Sequence, residues 1–411
     1  MAKIRPFKGI HPNYNNASDV VLSLENLSLD EAKVIRQENP YSYVNMLVPK
    51  LDNLFLLGSK SELAYKKINE NFDDFILEGI LIQDPKPSIY IYQVIKEGVA
   101  QTGVWTLTSI DDYLNDTLKK HELTKPDREQ SLINYLQQTG IDANPVLITY
   151  NPVSKIDLIL SEVTKTEADI SFSNNDIKHR LWIIDDEISI NSILRAFEDI
   201  PYTYIADGHH RASAAALFGL KCRKLNRHQV DNEESSFFTS VYMSTDQVNV
   251  NGFNRLIKKL NGINPIDFLS QLEEYFELIP SETEVVPTQR YEFGMYLTGQ
   301  WYQLNARSEI REGHSATDKL DVSILQNYVL SKILKLSDPR TDPSIKCVSG
   351  LLAVEELTSK VDQKEFAIAF TLFPTSIDQL IQVADEGGVM PPKSTLIEPK
   401  FDAGLLSHKI N

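Results

Sequence analysis

Three short stretches carry the residue types that can act on a small charged molecule. The first, Asp207-Gly-His-His-Arg211, sets a carboxylate, two imidazoles and a guanidinium side by side. Before it, Tyr202-Thr-Tyr-Ile205 is β-branched and aromatic, as strands are, and Asp207-Gly208 is turn chemistry. After it, the run from Arg211 to Leu217 is alanine-rich and favours a helix. A strand that turns into a helix at this point leaves the first-turn N–H groups pointing outward beside His209, His210 and Arg211, an arrangement suited to an anion. Asp207, His209 and His210 can also be read as metal ligands. Adjacent residues seldom converge on one ion without a third element, so the anion reading is preferred and no metal ligand is assigned.

The second stretch, His121-Glu122-Leu-Thr124, precedes Pro126, which is expected to break a helix and open these side chains onto a cleft. A glutamate so placed can take a proton from a hydroxyl. The plainer reading is a solvated helix end, since Lys119, Lys120 and Lys125 surround it. Lys125 stands where a zincin would need its second histidine, so that metal motif is excluded. In the third stretch, Pro391-Pro-Lys-Ser-Thr395, the prolines stiffen the approach to Lys393, Ser394 and Thr395. It has the end of a P-loop without the glycine spacing, and a P-loop is rejected. The stretch reads either as a second source of cations for the first one, lying near it in the fold, or as a turn that tucks in the C-terminus.

The elements that must position these residues alternate in type. A capping box at Ser28-Leu-Asp-Glu31 opens a helix, and residues 62–77 form another with Leu63, Ile68, Phe72, Phe75 and Ile76 on its buried face. Residues 88–95 and 98–107 read as a β-hairpin. A helical stretch from Ser109 runs on to Pro126, and a further helix covers 128–139. Strands are expected at 145–149, 156–160 and 179–184, with Trp182 buried, and a helix at 189–197. The polar stretch 221–236 reads as a linker. Further on, helical segments at 267–276 and 322–334, a buried strand at 366–373 and a helix at 376–384 are expected. The fold class is α+β, in three parts: 1–108, a core at 109–225 with a mixed sheet, and 226–411, whose last loop is expected to return toward the core.

At 411 residues, 42% hydrophobic and 24% charged, the chain has the composition of a soluble globular protein of more than one domain. No apolar run reaches membrane-spanning length, and the start lacks the apolar stretch of a secretory signal. Cys222 and Cys347 have no partner spacing, which fits reduced thiols in the cytoplasm. A net charge of −16 argues against a nucleic-acid partner.

Together, Ile4-Arg-Pro-Phe-Lys-Gly-Ile10, Lys119-Lys-His-Glu-Leu-Thr124, His179-Arg-Leu-Trp182, Ala206-Asp-Gly-His-His-Arg211 and Met390-Pro-Pro-Lys-Ser-Thr395 resemble the domain-of-unknown-function 1015 family over essentially the whole chain. The family's Pro-Pro-Tyr-Asp element near position 20 is replaced by Ala17-Ser-Asp-Val-Val21. The central part is similar to the free serine kinases of the ParB/sulfiredoxin superfamily. The resemblance implies a ParB/sulfiredoxin-like core whose Asp207, Gly208, His209, His210 and Arg211 hold nucleotide phosphates. It implies Glu122 as the base, with His209 and His210 assisting catalysis. His121, Thr124, Lys393, Ser394 and Thr395 then face the substrate. The expected activity is phosphorylation of free L-serine or a similar small amino acid, with ADP or ATP as donor and Mg2+ accompanying it. The alternatives are a nucleotide-binding regulator without turnover and a phosphoester hydrolase. Oligomeric state is left open.

Overall fold

The computed structural model describes residues 1–24, 27–47, 59–225, 233–336 and 342–410. The chain divides into two compact units, one of Met1–Lys119, Leu123–Val248 and Pro399–Asn411, the other of Lys120–Glu122 and Asn249–Glu398. The first is built on a mixed sheet of nine strands. These are β1 (Ile4–Arg5), β2 (Ile89–Lys96), β3 (Val99–Ser109), β4 (Leu118–Lys119), β5 (Val146–Tyr150), β6 (Ile170–Asn174), β7 (Ile177–Ile184), β8 (Thr203–Asp207) and β9 (Phe237–Ser244). Their order is β4-β8-β5-β9-β3-β2-β7-β6, with β1 paired to β3. Two pairs, β8 with β4 and β9 with β5, are parallel, and the others are antiparallel. Strands from 1–108 and from 109–225 therefore share one sheet.

The hairpin of β2 and β3 turns on Glu97-Gly98, both at positive φ, the conformation that matches the twist of the paired strands. Among the helices of this unit are α1 (Ser59–Leu77), α2 (Pro126–Thr139), α3 (Ser154–Val163), α4 (Glu187–Glu198) and α5 (His209–Leu225). Ile148, Phe197, Ile205, Ala212, Ala216 and Tyr242 meet in one buried cluster, so β5, β8, β9, α4 and α5 share a core. The alanines of α5 leave little side chain between that helix and the sheet. The capping box at Ser28 is formed, opening the helix Leu29–Glu38.

Several expectations are corrected. Pro126 begins α2 instead of breaking a helix, because its missing N–H is no loss in the first turn; residues 118–119 are strand. Residues 156–160 are helical, within α3. Ile156 and Leu160, four apart, are buried while Leu158 is exposed, a helical period that a short apolar run conceals. On α1, Ala64 holds the buried position that the spacing assigns to Leu63, which is exposed. Of the segment 267–276, only the part up to Leu272 is helix, in Pro265–Leu272, and Phe276 starts a strand. The expected linker 221–236 is helical as far as Leu225, and 226–232 lie outside the described residues.

The second unit carries a six-stranded antiparallel sheet of β10 (Phe253–Ile257), β11 (Phe276–Ser281), β12 (Glu292–Leu297), β13 (Gln300–Ala306), β14 (Ile345–Ser349) and β15 (Ile368–Leu372). They are ordered β11-β13-β12-β15-β10-β14. The architecture is α+β. Among the described residues no helix is long and apolar enough to cross a membrane, and Cys222 and Cys347 are both free thiols.

One buried carboxylate in the first unit makes stability depend on pH. Burial drives Asp112 up to about 6, against the hydrogen bond it accepts from the Lys3 N–H at 2.7 Å. A raised folded-state pKa contributes stability below the ordinary carboxylate range, and that contribution is lost as pH rises through about 6. Asp112→Asn keeps the acceptor and carries no charge. Its stability relative to the parent is expected to be about 2 kcal/mol better near pH 7 than near pH 4. Denaturant titrations at both pH values check this, and an equal difference at the two would refute it.

Candidate functional site

The strand-to-helix elbow forms as its residues dictate. In β8, pairing with β5 slips between Ile205 and Asp207, and such an irregularity re-aims the side chain that comes next. Gly208 then takes φ +100°, open to glycine and strained for any other residue. Its carbonyl accepts from Ala212 N at 3.0 Å, which makes it the first capping residue of α5. The seventeen-residue helix begins at His209, so the N–H groups of its first turn lie at the elbow.

Four side chains lock this turn. Asp207 accepts from Arg211 at one oxygen and from Lys400 at the other, each at 2.7 Å. Arg211 also donates to Asn144 Oδ1 at 2.6 Å and to the Pro145 carbonyl. The guanidinium is thus folded over the turn, where a Cβ on Gly208 would meet its Nε at 2.9 Å. As placed, Arg211 braces the loop and lends its charge to the elbow from one side. His210 accepts from Lys125 N at Nδ1, 3.3 Å, so a neutral ring carries its proton at Nε2 and can donate there. Burial, then the Arg128 charge, hold its pKa below the usual imidazole value, opposed by Glu129 and helped by Lys125. His209 is buried. Glu129 of α2 accepts from Ser213 of α5, which joins the two helices behind the elbow.

Sequence reasoning misses Lys400 and Asn144. Lys400 lies 193 residues from Asp207, on the C-terminal segment 399–410 that is part of the first unit. That segment is held by Glu234, which accepts from His408 at 2.7 Å and from Arg5 at 2.5 Å. Burial pushes Glu234 up, but the His408 hydrogen bond and the charges of His408 and Arg5 outweigh it and keep the carboxylate low. The arginine of the Ile4-Arg-Pro motif therefore fixes the tail that delivers Lys400. Nothing local to Lys400 signals this, since its partner is chosen by the fold.

Lys400→Met removes one positive charge at the elbow. Both partners are about a third exposed, so folding stability should change by less than about 1 kcal/mol. Pyrophosphate affinity should fall about tenfold, with most of it kept in Lys400→Arg, as calorimetry would report. An unchanged affinity in Lys400→Met would leave Lys400 as a tail anchor only.

Thr124 lies in the first unit, half-buried, just ahead of Lys125. His121 and Glu122 belong to the second, as do Lys393, Ser394 and Thr395. There the two sequence stretches meet: the Met390 N–H donates to the His121 carbonyl at 2.9 Å. His121 is buried and Glu122 exposed. Lys393 is exposed, with φ +55° and its ammonium 5.1 Å from the centre of the Phe253 ring. Its carbonyl accepts from the buried Arg255 at 2.9 Å, while the Ser394 hydroxyl donates to the Pro391 carbonyl at 2.5 Å. Thr395 is half-buried. Ser394 and Arg255 thus shape this turn, and Lys393 keeps its charge at the surface.

Among the described residues no group of three or more His, Cys, Asp or Glu side chains is placed to hold a metal ion. Both oxygens of Asp207 face cations. The elbow does not fit a resident metal.

A mixed sheet packed with helices, one strand of which turns through Gly208 into a long helix, is the class that fold and geometry define. The chain belongs to the DUF1015 family, a family of unknown function, whose model matches residues 4–323. No curated protein matches it by sequence. Among solved structures it is similar to a free serine kinase mutant in complex with AMP, at 14% identity and TM-score 0.37, covering 73% of this chain and 92% of that one. A conserved hypothetical protein from Pyrococcus furiosus is similar at 14% identity and TM-score 0.36, covering 74% and 95%. SbnI with C-terminal truncation, from Staphylococcus aureus, is similar at 11% identity and TM-score 0.36, covering 72% and 82%.

Proposed function

We propose that the protein is a small-molecule phosphotransferase that moves the terminal phosphoryl group of ADP or ATP to the hydroxyl of free L-serine or a similar small amino acid. The observation that carries the reading is the elbow itself: first-turn N–H groups of a long helix, a turn that glycine permits, and Arg211, Lys400 and His210 around it. Such a site suits phosphate oxygens and the charge that shifts onto them during transfer. The amino-acid acceptor and the base rest on the sequence resemblance to free serine kinases, in which Glu122 matches the catalytic glutamate.

In the step, the acceptor oxygen bonds to the terminal phosphorus as the bond to the bridging oxygen breaks. The departing nucleotide keeps that electron pair, and Glu122 takes the hydroxyl proton. Mg2+ travels with the donor phosphates.

The test is incubation of the full chain with terminally labelled ADP or ATP and an amino-acid panel. Labelled phosphoserine, or another phosphoamino acid, is the expected product. Free phosphate alone would make the protein a hydrolase, and binding without turnover would make it a nucleotide-responsive regulator.

A further inference from the structure

Lys400 reaches Asp207 from a stretch that its own backbone does not hold. The C-terminal segment first pairs with the rest of the unit at Ala403, which exchanges hydrogen bonds with Leu22, and pairs again at Ser407 and Lys409. Among the described residues no backbone–backbone hydrogen bond reaches residues 399–402. Side chains hold them instead. The Phe401 ring centre lies 5.8 Å from that of Tyr92 on β2 and 6.2 Å from that of Trp105 on β3. Asp402 accepts from Asn174 Nδ2 at 3.4 Å and from the Ser23 hydroxyl, and its Oδ2 stands 3.6 Å from Nε2 of His179 on β7. His179 opens the His179-Arg-Leu-Trp182 stretch, to which the transfer assigns no role. It is 1% exposed, with Phe172 and Tyr92 both stacked on its ring. Nδ1 is 2.8 Å from the Tyr92 hydroxyl, and Nε2 has no hydrogen-bond partner among the described residues.

We infer that His179 is a positioning residue for the phosphate site: its Nε2–H holds the Asp402 carboxylate and thereby sets Lys400 against Asp207. The inference rests on the phosphotransferase reading for what Lys400 binds, and adds to that reading a residue outside the elbow. Burial pushes the imidazole pKa down to about 4, so the ring is neutral near pH 7. A bare nitrogen facing a carboxylate would be repelled, so the proton sits on Nε2 and Tyr92 donates to Nδ1. A buried N–H in want of an acceptor draws the nearest oxygen toward it, and that oxygen belongs to Asp402. The stacked rings fix the direction in which the N–H points. Two peptide units separate Asp402 from Lys400, about 7 Å of extended chain, so an anchored carboxylate leaves the ammonium little range. The ion pair of Lys400 with Asp207 is about a third exposed at both partners and is too weak to fix the stretch by itself.

The test reads the Lys400 amine directly, by trace acylation of the full chain with acetic anhydride followed by peptide mass spectrometry. Lys409 is the control, because its side chain is 35% exposed against 34% for Lys400 while its backbone pairs with Ile141. His179→Phe keeps the stacked ring and removes the N–H, so its Lys400 should be acylated about fivefold faster, with Lys409 unchanged. His179→Gln, whose amide can donate from the place of Nε2, should stay within about twofold of the parent. Pyrophosphate affinity in His179→Phe should fall as far as in Lys400→Met, and combining the two should cost less than about twofold more, whereas a merely structural role would add its own loss. Asp402→Ala should reproduce His179→Phe, and it reads the same contact if the buried substitution prevents folding. Lys400 reactivity that stays at the parent's level in both variants, or that rises together with Lys409, would overturn the inference. A Lys400 freed by His179→Phe with pyrophosphate binding at parent strength would keep the positioning role and remove Lys400 from phosphate binding.

Discussion

Gly208→Ala is expected to weaken binding of both ADP and pyrophosphate by about 30-fold or more and to cost about 1–3 kcal/mol of stability. Two effects add. The backbone at φ +100° is strained for any residue with a Cβ, and that Cβ would sit 2.9 Å from Arg211 Nε and Nη2. The guanidinium cannot yield without loosening its contacts to Asp207, Asn144 and Pro145, which are what hold the turn. Once the turn shifts, the first-turn N–H groups of α5 no longer converge. Gly79 supplies the control, because it has φ +73° and nothing lies within 4 Å of where its methyl group would sit. Gly79→Ala should cost about 1 kcal/mol and leave binding untouched. If the two variants behave alike in calorimetry, the elbow is not an anion site.

Glu122→Gln should lower turnover about 100-fold or more while changing nucleotide affinity less than about twofold. Glutamine keeps the size and hydrogen bonding of an exposed side chain but cannot take a proton, so the fold should be unaffected. Arg211→Ala should behave differently, weakening nucleotide binding and turnover together, because it removes both a charge and the brace of the loop. Initial rates and calorimetric affinities for the two variants separate the roles. Full activity in Glu122→Gln would make the His121-Glu122 stretch an ordinary solvated segment and deprive the transfer of its base.

The strand, turn and helix of the elbow are legible in the sequence because the preferences that form them are local. A β-branched run, Asp-Gly, and an alanine-rich continuation each state their preference within a few residues, and no long-range contact overrides them. The hairpin at Glu97-Gly98 and the capping box at Ser28 are readable for the same reason. Where several structures share one local pattern, the sequence misleads. Ile156 to Leu160 satisfies a strand and a helix equally until burial shows which face is apolar, and a proline suits the first turn of a helix as well as its end.

What the sequence by itself determined was therefore the chemistry at hand: which residues stand at the elbow, and that a helix begins there. Only the tertiary structure decided how that chemistry is held. It brought Lys400 across 193 residues to Asp207, turned Arg211 onto Asn144 and Pro145, and set Asp402 beside His179. Turn and helix preferences act between neighbours in the chain and are written there. Ion pairs and buried contacts depend on which distant surfaces the sheet order places together, and no local pattern encodes that order.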